Sequence, residues 1–136
     1  MTPVLVDSNV ILDVATTDPR WAEWSERTLK EVANAAPLVI NPLIFAEVSA
    51  CFEKIEDVDS VLPVESFRRE ELPYAAAFLA GKCFVRYRRA GGHRRSPLPD
   101  FYIGAHAAVA GYRLLTRDSR RYRSYFPTVR LIAPNG

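Results

Sequence analysis

Pro3-Val4-Leu5-Val6-Asp7 is a short apolar run closed by a carboxylate, and two good helix N-caps, Ser8 and Asn9, follow at once. An apolar run without alternation marks a strand covered on both faces, the condition of a strand in a parallel sheet. Val10-Ile11-Leu12-Asp13-Val14 continues as a helix. The pattern recurs. Thr17-Asp18-Pro19 opens a helix to about Ala36, Leu38-Val39-Ile40 is a second strand, and Asn41-Pro42 introduces a helix from Leu43 to about Ile55. Glu56 to Ser60 starts a short helical piece that Pro63 ends, and Val64 to Phe67 is briefly extended. Glu70-Glu71-Leu72-Pro73 opens a long helix to about Arg89, with Leu72, Ala76, Leu79, Cys83 and Phe84 on one stripe. A basic loop rich in Gly and Pro, from Gly91 to Pro99, precedes a helix capped by Asp100, running from Phe101 to Ala110 and stopped by Gly111. Arg113-Leu114-Leu115-Thr116 and Val129-Arg130-Leu131-Ile132 are further strands, with a short turn around Arg120-Arg121-Tyr122 between them. Strands alternating with helices predict an α/β fold on a parallel sheet.

A length of 136 residues suits one domain, 1–136, with a core of its own. No apolar run approaches the ~20 residues of a membrane span, and no basic-then-apolar signal segment opens the chain. Cys51 and Cys83 sit in apolar helical stretches and read as buried free thiols, which fits a reducing cytoplasm. Two His and two Cys, far apart, argue against a zinc site. Trp21 and Trp24 fall at helical spacing with Thr28, Leu29 and Val32, which assigns both indoles to the core. Charge is strongly partitioned. Residues 1–85 carry 7 Lys+Arg against 14 Asp+Glu, a balance of −7, whereas residues 86–136 carry 11 Arg against Asp100 and Asp118, a balance of +9. Interleaved with Tyr87, Tyr122, Tyr125 and Phe126, those arginines favour nucleic-acid contact over a merely solvated face, because guanidinium groups match phosphates and stack on bases.

Four acids stand at structural punctuation marks. Asp7 and Asp118 each follow a strand, Asp100 opens a helix, and Glu47 lies in a helix whose other residues are nearly all apolar. In an open parallel sheet, strand ends and helix starts share one edge, where ligands bind. Separately, each Asp reads as a cap or turn residue, but a lone Glu on so apolar a helix needs a partner. Four carboxylates converging there repel unless cations compensate, and Mg²⁺ takes carboxylates, water and substrate phosphate as ligands. Two such ions roughly 4 Å apart activate water and stabilise the leaving oxygen in phosphodiester hydrolysis. His106 reads as a packed, hydrogen-bonded histidine, and Asp13 as a residue that faces solvent or caps a neighbour. Neither a Gly-x-Ser-x-Gly elbow nor a glycine-rich phosphate loop is present.

Val6-Asp7-Ser8-Asn9-Val10, Glu47-Val48-Ser49-Ala50, Pro99-Asp100-Phe101-Tyr102-Ile103-Gly104-Ala105-His106-Ala107 and Leu114-Leu115-Thr116-Arg117-Asp118 resemble, in order, the motifs of PIN-domain ribonucleases. The closer resemblance is to the VapC toxins of prokaryotic toxin–antitoxin pairs, which Tyr122-Arg123-Ser124-Tyr125-Phe126-Pro127 also resembles. It implies a three-layer α/β/α sandwich around a short, mostly parallel sheet. It further implies a cytoplasmic homodimer that uses Mg²⁺ or Mn²⁺ to cleave RNA endonucleolytically with a metal-activated water, neutralised by a cognate VapB-type antitoxin. Asp7, Glu47, Asp100 and Asp118 match the family's acidic quartet, Ser8 its small hydroxyl beside the first Asp, and Thr116 a frequent hydroxyl before the last. Arg94, Arg95, Arg120 and Arg121 are the expected RNA-binding residues. Rival readings are a PIN nuclease of RNA or DNA processing without an antitoxin, and a non-catalytic binding module. A haloacid-dehalogenase-like phosphatase would need an Asp where Asn9 stands.

Overall fold

The computed structural model describes residues 1–94 and 98–134, so Arg95, one of the expected RNA-binding residues, lies outside the described residues. In chain order the elements are β1 (Val4–Val6), α1 (Ser8–Ala15), α2 (Ala22–Ala35), β2 (Leu38–Ile40), α3 (Pro42–Ser49), α4 (Ile55–Val61), β3 (Phe67–Arg69), α5 (Tyr74–Arg89), α6 (Pro99–Ala110), β4 (Arg113–Leu115), α7 (Arg120–Tyr125) and β5 (Leu131–Ile132). The strands form one sheet in the order β3-β2-β1-β4-β5, and every pairing is parallel, a step beyond the mostly parallel sheet expected. From β1 the chain moves outward to β2 and β3, then returns to add β4 and β5 on the other side. Right-handed crossovers therefore place α1 to α4 on one face and α5 to α7 on the other, an α/β/α sandwich. Packing of α1 on α2 and α3, and of α6 on α5 and α7, agrees with that division.

β1, β2 and β4 are read correctly because helices cover both faces: Val4, Leu5, Val6, Val39, Leu114 and Leu115 are all fully buried. Each such side chain contributes roughly 1.5–3 kcal/mol by leaving water. Because the sheet order reverses at β1, a crevice opens beyond the carboxyl ends of β1 and β4. Among the described residues no helix is long and apolar enough to cross a membrane.

Several local expectations need correction. α3 ends at Ser49, not near Ile55, because the amides of Cys51 and Phe52 turn to the carbonyls three residues back, Val48 and Ser49. α2 starts at Ala22, after Asp18 has accepted the amides of Arg20 and Trp21 in a separate turn. α5 starts at Tyr74, because Pro73 is itself extended, with φ −64° and ψ 144°, and stands at the N-cap. Leu98, not Asp100, is the N-cap of α6. Pro99 takes the first helical position with its missing N–H, leaving Asp100 in the first turn. The expected turn at Arg120-Arg121-Tyr122 is the helix α7. The extended stretch near Phe67 pairs as Phe67–Arg69, and β5 pairs only over Leu131–Ile132. Cys83 is buried as expected, but Cys51 is exposed, since it lies past the end of α3. Only Trp24 packs against the core; Trp21 is half-buried beside it, edge to face. Gly111 ends α6 in the left-handed region, φ +73°, as its position predicts.

Candidate active site

β1 delivers Asp7 to the crevice, and the sheet still holds it: the Asp7 amide donates to the Leu115 carbonyl at 2.8 Å. Asp7 is also the N-cap of α1, in extended backbone, so its side chain leaves the strand end as the chain turns into the helix. The carboxylate is 4% exposed. Oδ2 accepts the Thr116 hydroxyl at 2.9 Å and the Tyr122 hydroxyl at 2.8 Å. Oδ1 faces Ser8, whose hydroxyl donates to Glu47 Oε1 at 2.8 Å and lies 3.5 Å from Oδ1. Two donors thus fix one oxygen of Asp7, while the other points toward Ser8 and Glu47.

Thr116 follows β4 and acts as a hub. Its Oγ1 donates to Asp7 and accepts the Asp118 amide at 3.1 Å, which sets the turn that carries Asp118. Asn9 closes the same corner: its Oδ1 accepts the Arg117 amide at 3.1 Å, and its Nδ2 lies 3.3 Å from Thr116 Oγ1. α6 brings Asp100, whose Oδ1 is 3.4 Å from the Tyr122 hydroxyl and whose Oδ2 is 3.6 Å from Arg121 Nη1. Asp118 is exposed and lines an open cleft of about 560 Å³ with Asp100, Arg120, Arg121, Ser124 and Tyr125.

The electrostatics follow from burial and crowding of like charge. Burial pushes the Asp7 carboxyl up to about 6, with the Asp100 and Glu47 charges adding to the rise and the Tyr122 and Thr116 hydroxyls opposing it. Glu47 is raised by burial and by Asp100, against the Ser8 hydroxyl. Asp100 is raised by burial and by Asp118, against Arg121. Burial and the Asp7 and Asp100 charges lift the Tyr122 phenol well above its usual range, so it is a proton donor at all ordinary pH values. Among the described residues no three His, Cys, Asp or Glu side chains are gathered tightly enough to clasp a metal ion as they stand. The donor set nevertheless fits a hard divalent cation: all are carboxylate oxygens, and their mutual repulsion is what such a cation relieves.

The six residues expected at the site, Asp7, Ser8, Glu47, Asp100, Thr116 and Asp118, are thus brought into one linked neighbourhood, with Arg120 and Arg121 on the adjoining cleft. Arg94 is exposed past the end of α5, where its carbonyl accepts from Arg88. Two features of the site are not legible from the sequence. Tyr122 is one: expected among the aromatics of a nucleic-acid face, it is instead 1% exposed and bonded to Asp7. The other is Asp13, expected to face solvent or cap a neighbour but 2% exposed and clamped by Arg117 at 2.9 and 3.1 Å and by the Ser25 hydroxyl at 2.8 Å. That pair, buried on the Asp13 side, ties the turn before Asp118 to α1. His106 is packed and bonded as expected: Nδ1 lies 3.0 Å from Asn41 Nδ2, and burial lowers its pKa. Asn41 caps α3, the helix of Glu47, by accepting the Ile44 amide.

Residues 4–126 match the PIN domain family. No curated protein matches the chain in sequence. Among solved structures, VapBC2 from Rickettsia felis, bound to a DNA fragment from its promoter, is similar at a TM-score of 0.72 and 16% identity, over 96% of this chain and 98% of that one. DNA-bound VapBC from Salmonella typhimurium gives 0.70 at 19% identity, over 98% of each chain. VapBC-1 from nontypeable Haemophilus influenzae gives 0.70 at 15%, over 96% and 97%. At such identities the likeness is one of fold.

Proposed function

Because the chain belongs to the PIN-domain family, we propose that it is a metal-dependent endoribonuclease, the toxin of a toxin–antitoxin pair, folded as one domain over residues 1–136. The observation that carries the reading is a buried Asp7 carboxylate, fixed through Oδ2 by Tyr122 and Thr116, beside Glu47, Asp100 and Asp118 at the sheet's switch point. Asp7 and Asp100 would be the direct ligands of Mg²⁺ or Mn²⁺, with Glu47 and Asp118 completing or orienting the site. A bound divalent cation supplies activation of water and neutralisation of phosphate charge there. Ser8 and Thr116 orient the carboxylates, and Arg120 and Arg121 hold the RNA backbone in the adjoining cleft. The Ser8 hydroxyl is buried and committed to Glu47 Oε1, where it orients a carboxylate, and water is the nucleophile of the proposed reaction.

The toxin role, with a VapB-type antitoxin as partner, takes its support from the VapBC neighbours. A homodimer in the cytoplasm is part of the same proposal, and Tyr74 and Phe78, exposed on α5, offer apolar surface for such contacts. Purified protein should cut single-stranded RNA with Mg²⁺ or Mn²⁺ and stop on addition of EDTA. Asp7→Asn should abolish cleavage while leaving the circular-dichroism spectrum of the folded protein unchanged. Cleavage that persists in EDTA, or in Asp7→Asn, refutes the reading.

A further inference from the structure

On the far side of Asp118 lies a second open cleft, of about 620 Å³, lined by Trp21, Arg117, Ser119, Arg120, Arg123 and Ser124. Asp118, Arg120 and Ser124 border both this cleft and the one that holds Asp100, so the two are neighbours across a single wall. We propose that the Trp21 cleft is a nucleotide subsite: it holds an unpaired base and its phosphate from an RNA strand whose neighbouring phosphodiester lies at the Asp7 cluster. The assignment rests on the nuclease reading above.

Three observations carry it. Trp21 is half-buried at the margin of the core, where it meets Trp24 edge to face, and the rest of its indole lines the cleft. Arg117 lies 5.6 Å from the Trp21 ring and is immobilised by its two bonds to buried Asp13, which makes a rigid floor of the guanidinium and the indole together. Base stacking on an indole is tolerant of sequence, because every base has a π-face. The remaining lining fits phosphate: Arg120 and Arg123 bring positive charge, and Ser119 and Ser124 bring hydroxyl donors. The cleft is of the size that small ligands fill, roughly 300–1,000 Å³. A flat, anionic occupant next to the carboxylates is what a single-stranded RNA supplies.

The chain has two tryptophans, so Trp24→Phe leaves Trp21 as the sole indole. In an Asp7→Asn, Trp24→Phe background, a random-sequence pool of single-stranded RNA decamers should quench Trp21 emission saturably. The midpoint should match the affinity from an independent anisotropy titration. Trp21→Ala, in Asp7→Asn alone, should weaken that affinity about tenfold, and Trp21→Phe, which keeps a ring, should restore most of it. RNA that binds by anisotropy without changing Trp21 emission, or with equal affinity in Trp21→Ala, overturns the subsite and leaves the nuclease reading standing. An indole silent to RNA but shielded in the complex with the co-encoded partner also overturns it, and assigns the cleft to protein. RNA that does not bind at all removes both the subsite and the nuclease reading.

Discussion

The Tyr122 hydroxyl donates to Asp7 Oδ2 at 2.8 Å from a side chain only 1% exposed. A buried phenol with a raised pKa keeps its proton, so this bond orients one oxygen of Asp7 at every ordinary pH and leaves Oδ1 turned toward Ser8 and Glu47. Tyr122→Phe retains the packed ring and removes the donor. Partners that orient a metal ligand are worth 10–100-fold in affinity, so Mn²⁺ should bind about tenfold more weakly, with the fold intact by circular dichroism. Calorimetric titration checks this, and equal affinity would show that Thr116 alone suffices.

The carboxyl of Asp7, pushed up to about 6 from 3.8, has a consequence for stability. Between those pH values the folded state binds more protons than the unfolded one, so stability falls as pH rises through this window. Asp7→Asn removes that dependence. In EDTA, the stability of Asp7→Asn relative to wild type should rise with pH by up to about 3 kcal/mol in all, about 2 kcal/mol of it between about pH 4 and pH 6, and level off above about pH 7, at about 1.36 kcal/mol per pKa unit. Glu47 and Asp100, raised in the same direction, keep part of the slope in both proteins. Urea unfolding across pH measures the difference; a flat difference would mean that Asp7 titrates as a free carboxyl does.

What is legible in the sequence is what is local. β1, β2 and β4 declare themselves by apolar runs that helices cover on both faces, and the acids beside them inherit their place from the strand ends. Glu47 is legible as the one charge on an apolar helix. Tyr122 is not, because its bond to Asp7 spans 115 positions and its helix, Arg-Arg-Tyr-Arg-Ser-Tyr, has no apolar periodicity to announce it. Asp13 misleads for the same reason. Its spacing from Asp7 suggests solvent, while Arg117, 104 positions away, draws it into a buried pair. Short helices follow from hydrogen bonds that apolar pattern does not encode, as the early end of α3 shows.

Two helical glycines should respond oppositely to alanine. Gly81, in α5, has open space where a Cβ would go, so Gly81→Ala should stabilise by about 0.5–1 kcal/mol through helix propensity. At Gly104, in α6, a Cβ would collide with the ring of Phe126, itself 3% exposed. Overpacking of that kind costs about 1–3 kcal/mol and outweighs the propensity gain. Thermal unfolding should therefore give midpoints above wild type for Gly81→Ala and below it for Gly104→Ala. A stabilised Gly104→Ala would mean that the Phe126 ring moves aside at little cost.

Salt dependence separates arginines that hold substrate from arginines that meet protein. Removing one phosphate-binding arginine should flatten the slope of log affinity against log salt by about 0.7 for a single strand. Arg120 and Arg121 line the cleft of Asp100 and Asp118, so alanine at both should weaken RNA binding in an Asp7→Asn background and reduce the slope by about 1.4. Arg121 carries a second effect. Its Nη1 lies 3.6 Å from Asp100 Oδ2 and opposes the rise that burial imposes on the Asp100 carboxyl, so it competes with a cation for that oxygen. Arg121→Ala should accordingly keep or tighten Mn²⁺ affinity while RNA affinity falls, whereas Arg120→Ala should move RNA affinity alone. Arg94→Ala, at an exposed position past α5, tests how far the basic track extends. A salt slope unchanged in all four variants would mean that the arginine-rich third of the chain meets protein and not the RNA backbone.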